Sequence, residues 1–273
     1  MSLYQTGVRQ IVDAHLIEKS KEKRDYGDYW SASSAGYCMR RLIFERLGVP
    51  HTSEDDPRKQ RVFTAGHIFH DWIQKLTREA GTSIAQEMEL QDEDLMVRGH
   101  FDDLILAEDK LILYDYKTVN SRSFLWAKKN NNAMSYYHKM QLGTYMYILR
   151  RVFDDTDRAI KELADLTNAS WIGGKPELTE ARILKIEKDA LMMMEQQLFW
   201  TPELEQEVTR YWNKLNEYWE KKFIPPCSCH LHEGGFLAKA QFNPFYYEGS
   251  PCSLDYYNKW KAENDHKQTA LTN

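Results

Sequence analysis

The chain of 273 residues has no long apolar stretch. No run approaches the roughly 18 to 20 residues that span a bilayer, so no membrane association is expected. The opening residues, MSLYQTGVRQIVDAHLIEKSKEKRD, are amphipathic and charged and lack the apolar centre of a secretory signal. A cytoplasmic protein is expected, in a bacterium or, if phage-encoded, in its host. Positive charge is not in excess: 36 Lys and Arg against 41 Asp and Glu leave a formal charge of -5. That excludes a protein that coats nucleic acid by neutralising many phosphates. It leaves room for a site that gathers carboxylates around a divalent cation, because such a site also makes the chain acidic. Cysteine is scarce, with four residues in all, and in a reducing compartment they are not expected to form disulfides. Internal repeats and low-complexity linkers are absent.

What is present is the composition of a folded protein. A hydrophobic content of 42%, with 8 Trp, 16 Tyr and 11 Phe, excludes a disordered chain. The length suits one large domain or two small ones. The basic pairs Arg40 and Arg41, Lys128 and Lys129, and Arg150 and Arg151 are read as solvated surface, with a phosphate track as the lesser alternative for each.

Helical spacing covers residues from about Ser2 to Arg24, the short MRRLIFERLG, with Ser33 or Ser34 as its cap, and RVFTAGHIFHDWIQKLTREAG, where Val62, Ile68 or Phe69, Trp72, Ile73 and Leu76 form the apolar stripe and Gly81 ends the helix. Strands are predicted over TSIAQEMELQ, LMVRGHFDDLILAE and KLILYDYKTV, the last two an antiparallel pair joined by EDK. A helix through SYYHKMQLGTYMYILRRVF puts Met134, His138, Gln141 and Tyr145 on one face. NASWIGGK and ARILKIEKD read as strands, Ala190 to Lys222 as one or two helices, and Met192 to Met194 as core packing. Proline and cysteine then gather in a loop-rich tail, PPCSCHLHEGGFLAKAQFNPFYYEGSPCS.

The chemistry concentrates in VRGHFDDLILAEDKLILYDYKT. Strand side chains alternate, so Leu111, Leu113, Asp115 and Lys117 share one face and Ile112, Tyr114, Tyr116 and Thr118 the other. A carboxylate at Asp115 can hold Mg²⁺ or Mn²⁺, and an ammonium two residues on can orient a water or neutralise a phosphate. Apolar neighbours imply a buried strand, where an unpaired charge is costly and a metal would offset the cost. Asp102 offers a second carboxylate, although alternation alone does not choose between it and Asp103.

Four motifs occur in a fixed order: Gly66 to His70 as G-x-x-x-H on a helix, Gly99 to Asp102 as G-x-x-D on a strand, Asp115 to Lys117 as D-x-K on the next strand, and Gln141 to Tyr145 as Q-x-x-x-Y on the following helix. This series resembles the RecB-like branch of the PD-(D/E)XK nuclease superfamily. The resemblance implies an α/β fold with a restriction-endonuclease-like core, a mixed central sheet flanked by helices. It implies His70, Asp102 and Asp115 as metal ligands, with the Tyr116 carbonyl a further one, Lys117 as the catalytic lysine, and Gln141 with Tyr145 steadying the site or touching the nucleic acid. Asp115 stands where the family more often has Glu. Glu87 is an accessory acid in this reading. Aromatics such as Tyr136, Tyr137, Phe245, Tyr246, Tyr247 and Trp260 are expected mainly to pack, with stacking on unpaired bases the alternative.

One early cysteine, Cys38 in SASSAGYCMRR, and three late ones, Cys227, Cys229 and Cys252, resemble the iron-sulfur nucleases of that branch, among them those of CRISPR adaptation and the AddB-type helicase-nucleases. The resemblance implies a 4Fe-4S cluster that joins the terminal segments. The late cysteines run C-x-C with a long gap, where the family usually has C-x-x-C and a short one, and His230 and His232 beside them would suit structural Zn²⁺. One nuclease domain is expected, with its core at about 58–190 and segments 1–57 and 191–273 forming the cysteine region. The implied activity is divalent-metal-dependent DNA cleavage, foremost by an exonuclease acting on single strands or ends in recombination, repair or phage DNA processing, with a recombination or helicase partner left open. The alternatives are a structure-specific or spacer-processing endonuclease and an inactive, metal-stabilised nucleic-acid-binding module.

Overall fold

The strand carrying D-x-K lies in the middle of a sheet, paired on both edges, with most of its side chains buried. The computed structural model describes residues 7–20, 27–52, 56–107, 110–130, 133–154, 178–230, 239 and 243–271. The predicted strand NASWIGGK and His232 lie outside them. Two compact units are formed, Met1–Ala35 with Asp56–Trp212, and Gly36–Asp55 with Asn213–Asn273.

In the first unit five strands run in the order β2-β5-β6-β7-β8: β2 Ser83–Gln86, β5 Asp103–Ala107, β6 Lys110–Val119, β7 Glu180–Glu187 and β8 Met193–Phe199. β5 and β6 are antiparallel, β6 and β7 parallel, so the sheet is mixed. A smaller sheet orders β1-β4-β3, from β1 Trp30–Ser31, β3 Glu89–Asp92 and β4 Val97–His100. The helices of this unit are α1 Val8–Ser20, α3 Pro57–Glu79, α4 Ser121–Lys129, α5 Tyr136–Asp154 and the part of α6, Pro202–Glu220, up to Trp212. Together these elements make a mixed α/β fold with sheets flanked by helices, consistent with a restriction-endonuclease-like core.

The two faces of β6 part as alternation requires. Ile112, Tyr114 and Tyr116 pack with Ile73 of α3 and Ile186 of β7, while Asp115 is bonded to Gln141 of α5. α5 is the most buried helix, and Gly143 is what lets α6 approach it: a Cβ there would stand 2.9 Å from Val208 and 3.0 Å from Leu204. Trp212 of α6 closes this crossing with a bond from its indole N–H to Thr144 Oγ1 at 2.9 Å.

Several expectations are corrected. The predicted strands TSIAQEMELQ and LMVRGHFDDLILAE each break into two that join different sheets, β2 with β3 and β4 with β5. The residues at the breaks are Glu87, whose φ is +50°, and Asp102. α3 begins at Pro57, ahead of the predicted start, because Asp56 caps it by accepting the Arg58 N–H and proline suits the first turn. Of its apolar stripe Ile73 is buried and Phe69 packs, partly buried, against the same core cluster, while Val62, Ile68, Trp72 and Leu76 are exposed. α5 starts at Tyr136, so Met134 lies outside it. α4, capped by Asn120, was not foreseen. Residues after Ala190 form edge strand β8 before the helix, and Met192 and Met193 are exposed there rather than in the core.

The second unit contains α2 Met39–Arg46, the end of α6 and an unforeseen helix, α7 Leu254–Leu271. α2 is preceded by Cys38, not capped by Ser33 or Ser34, which sit in a separate 3-10 turn where Ser34 Oγ donates to the Ser31 carbonyl. Phe44 stacks on Tyr257 at 5.0 Å and meets the edge of Phe245 at 5.5 Å, so Phe245 is a core residue and not a base-stacking surface. Of the basic pairs, Arg40 and Arg150 are tied to backbone carbonyls rather than merely solvated, Arg40 to Pro225 and Cys252, and Arg150 to Leu178. Among the described residues no helix is long and apolar enough to cross a membrane.

Two glycines of the motifs separate by sign. At Gly99 a Cβ would fall 2.8 Å from the backbone-fixed Cβ of Ala32 and 3.1 Å from Tyr145 Oη, whereas at Gly66, inside α3, the nearest atom would be Thr118 Oγ1 at 3.4 Å. Gly99→Ala is expected to lose about 1–3 kcal/mol in urea unfolding through overpacking. Gly66→Ala is expected to be neutral or to gain up to about 1 kcal/mol from helix propensity.

Candidate active site

Two adjacent aspartates at the break between β4 and β5 take opposite roles. Asp103 is fully buried and its carboxylate accepts four bonds: from Ser83 Oγ at 2.6 Å, Thr77 Oγ1 at 2.7 Å, the Tyr116 hydroxyl at 2.8 Å and Gln86 Nε2 at 3.1 Å. With three donors on Oδ2 and one on Oδ1, it is a structural group. Asp102 accepts the Tyr116 N–H at 2.5 Å through Oδ2, which stands 3.5 Å from His70 Nδ1. Burial first, and then the charge of Asp115, push its carboxyl up to about 8.

His70 of α3, Glu87 and Asp102 each bring a potential ligand atom within 4.8 Å of the others. The backbone break that makes this possible is held by Gln74, one turn beyond His70, whose Nε2 donates at 2.9 Å both to Glu87 Oε1 and to the Asp102 carbonyl. Burial and the nearby Lys117 ammonium lower the His70 pKa, which keeps its imidazole neutral, the form that ligates metal.

Asp115 is outside that group of three and is gripped from two elements. Its Oδ1 accepts Lys117 Nζ at 2.8 Å and Gln141 Nε2 at 2.9 Å. Its Oδ2, buried, forms an ion pair with the same ammonium at 2.7 Å. The two groups influence each other, since the Asp115 charge raises Asp102 while Lys117 lowers it. Tyr145, one turn past Gln141, is buried against Gly99, three residues before Asp102, so the Tyr of Q-x-x-x-Y accounts for the Gly of G-x-x-D.

Sequence reasoning missed Gln74 and Lys185. Gln74 carried no motif; its one signal is a polar residue beside Ile73 on the buried side of an amphipathic helix. Lys185 is buried on β7 and pairs in register with Lys117. His138 shares a helix face with Gln141, as the spacing predicts. Burial, followed by the Lys117 charge, brings its pKa down to about 4.

The four cysteines form a second cluster, within the second unit. Their sulfurs all lie within 4.8 Å of one another, with Cys38 to Cys227 at 3.9 Å and Cys229 to Cys252 at 3.5 Å. The Ser228 N–H points to Cys38 Sγ at 3.3 Å, and Asn243 Nδ2 reaches Cys229 and Cys252 at 3.3 and 3.4 Å. His230 is exposed and is not part of the cluster.

A mixed sheet with acidic residues at a strand break, followed by a D-x-K strand and a glutamine from the next helix, defines a metal-dependent nuclease core. The chain belongs to the PD-(D/E)XK nuclease superfamily, whose family model matches residues 59–229. No curated protein sequence matches it. Among solved structures, SSO0001 is similar at 16% identity and a TM-score of 0.49, over 84% of this chain and 96% of that one. The alkaline exonuclease LHK-Exo from Laribacter hongkongensis is similar at 13% identity and a TM-score of 0.41, over 71% and 93%. Its complex with dAMP gives 14%, 0.41, 72% and 94%.

The adjacent aspartates are expected to respond oppositely in metal-free protein. Asp103→Ala removes the buried acceptor shared by Thr77, Ser83, Gln86 and Tyr116 and should cost roughly 3–5 kcal/mol in chemical denaturation. Asp102→Asn removes a carboxyl whose ionisation is unfavourable there, so its stability at pH 8 should match or exceed that of the parent. His138 gives a pH signature. Its folded pKa of about 4 is below the ordinary 6.5, so the unfolded chain takes up the proton first. Stability contributed by this group is complete above pH 6.5 and is lost as pH falls toward 4. Thermal midpoints measured across that window should fall less steeply for His138→Gln.

Proposed function

We propose that the protein is a divalent-metal-dependent deoxyribonuclease, foremost an exonuclease on single-stranded DNA or DNA ends, working in recombination, repair or phage DNA processing. The observation that carries this reading is the pairing of two half-sites: His70, Glu87 and Asp102 on one side, and Asp115 held by Lys117 and Gln141 on the other.

In this reading His70, Asp102, Asp115 and the Tyr116 carbonyl hold Mg²⁺ or Mn²⁺, with Glu87 as an accessory ligand. The donor set fits such an ion, since it is rich in carboxylate oxygen with one neutral imidazole. When bound, the ion polarises the scissile phosphodiester and acidifies a water. Lys117, anchored on Asp115, presents its ammonium where it orients that water and neutralises charge building on the phosphate. Gln141 fixes the Asp115 carboxylate so that Lys117 does not pull it out of position. Gln74 sets the backbone that carries Glu87 and Asp102. Attack in line leaves a 5′ phosphate and a 3′ hydroxyl, and no covalent enzyme intermediate is needed.

End-labelled linear and circular single-stranded DNA, incubated with Mg²⁺ or Mn²⁺, test the proposal. The linear strand should be degraded and the circle spared, and Asp115→Ala or Lys117→Ala should slow degradation by roughly 100-fold or more. Cutting of the circle would make the enzyme an endonuclease. Undiminished degradation by both variants would put the chemistry elsewhere.

A further inference from the structure

The resemblance to cluster-bearing nucleases implies four irons and four sulfides at Cys38, Cys227, Cys229 and Cys252, and the sulfur positions disagree with it. In a cubane each thiolate binds a different iron at a different corner, so the four cysteine sulfurs stand roughly 6 Å apart. Here no pair exceeds 4.8 Å, and two pairs are at 3.9 and 3.5 Å. A single tetrahedral ion with metal-sulfur bonds of about 2.3 Å instead sets its sulfurs about 3.8 Å apart, and the pairs at 3.9 and 3.5 Å stand close to that spacing.

We propose that the four cysteines hold one tetrahedral ion of the zinc type. The ligands are four thiolates, not three and a histidine, because His230 beside Cys229 is exposed and outside the cluster. Four thiolates around a divalent cation leave two surplus negative charges, and the surroundings answer them. The Ser228 N–H is directed at Cys38, and the side-chain amide of the buried Asn243 is shared between Cys229 and Cys252. The Arg40 guanidinium, bonded to the Cys252 and Pro225 carbonyls, adds positive charge beside the loops that carry three of the ligands. N–H groups aimed at the sulfurs fix their orientation and offset their charge, as outer-shell partners do in metal sites. The ion's role is structural: it ties the residue before α2 to the loops that carry Cys227, Cys229 and Cys252.

The test uses the full chain, purified without oxygen from cells supplied with both iron and zinc. One zinc per chain, no iron or sulfide, and a colourless solution are expected. Replacing the zinc with Co²⁺ should give the visible spectrum of tetrahedral thiolate cobalt. Asn243→Ala, which keeps all four thiolates, should lose zinc to a chelator at roughly 10-fold lower concentration or less. Iron and sulfide in equal, stoichiometric amounts with brown thiolate-iron absorption would overturn the proposal, and so would protein that retains no metal under these conditions. These readouts are independent of DNA cleavage, so their failure leaves the nuclease reading standing, and the reverse holds as well.

Discussion

The first unit is organised around one buried carboxylate. Asp103 draws a hydroxyl from α3 (Thr77), a hydroxyl and an amide from β2 (Ser83 and Gln86) and a hydroxyl from β6 (Tyr116) onto two oxygens. A lone carboxylate in that position would be costly, and four donors make it tolerable while fixing three elements against β5. Its neighbour has no choice of direction afterwards. With Asp103 committed inward, Asp102 is turned at the strand break toward His70, and the Tyr116 that supplies a hydroxyl to Asp103 supplies its backbone N–H to Asp102. Gln74 repeats the device from α3, its amide spanning the Glu87 carboxylate and the Asp102 carbonyl. Glu87 and Asp102 are thus placed by polar residues outside the motifs, Asp103 and Gln74, whereas Asp115 is held by the motif residues Lys117 and Gln141.

How far the sequence discloses this depends on the range of the interaction. Alternation along LILYDYK is local, and it separates Asp115 and Lys117 from Tyr114 and Tyr116 as the structure does. The four motifs carry the family and its fold because their order reflects the chain path through α3, β4, β6 and α5. The breaks at Glu87 and Asp102 are not local. TSIAQEMELQ has the β-branched and alternating character of one strand, and nothing in it says that its second half leaves to pair with β4, which in turn pairs with Trp30 and Ser31. The same limit explains β8: MMEQQLF has good helix formers, and only the free edge of β7 makes it a strand. The apolar stripe of α3 misled in the other direction, since Val62, Ile68, Trp72 and Leu76 follow helical spacing yet stay exposed while the polar Gln74 is buried.

The glycines show how motif letters encode packing. Gly99 in G-x-x-D is needed where Ala32 and Tyr145 converge, and Gly143, between Gln141 and Tyr145, is needed where α6 crosses α5. Neither lies at a reacting atom. Each allows a close approach of neighbouring elements near a motif side chain: Gly99 close to Asp102, and Gly143 close to Gln141.

Charge balance divides the site into unequal halves. Asp115 is nearly self-sufficient, with an ammonium and an amide on it. Lys185, in register with Lys117 on the neighbouring strand, adds further positive charge, and both lysines help hold His138 neutral. The other half has carboxylates at Glu87 and Asp102, while its histidine is also held neutral by burial and by Lys117. With nothing added, Asp102 answers by keeping its proton up to about pH 8. In the proposed reading a divalent cation would take the place of that proton and offset the repulsion between Asp102 and Asp115. In the same reading Lys117, bonded to Asp115 at 2.8 Å, would be the ammonium that serves an incoming phosphate.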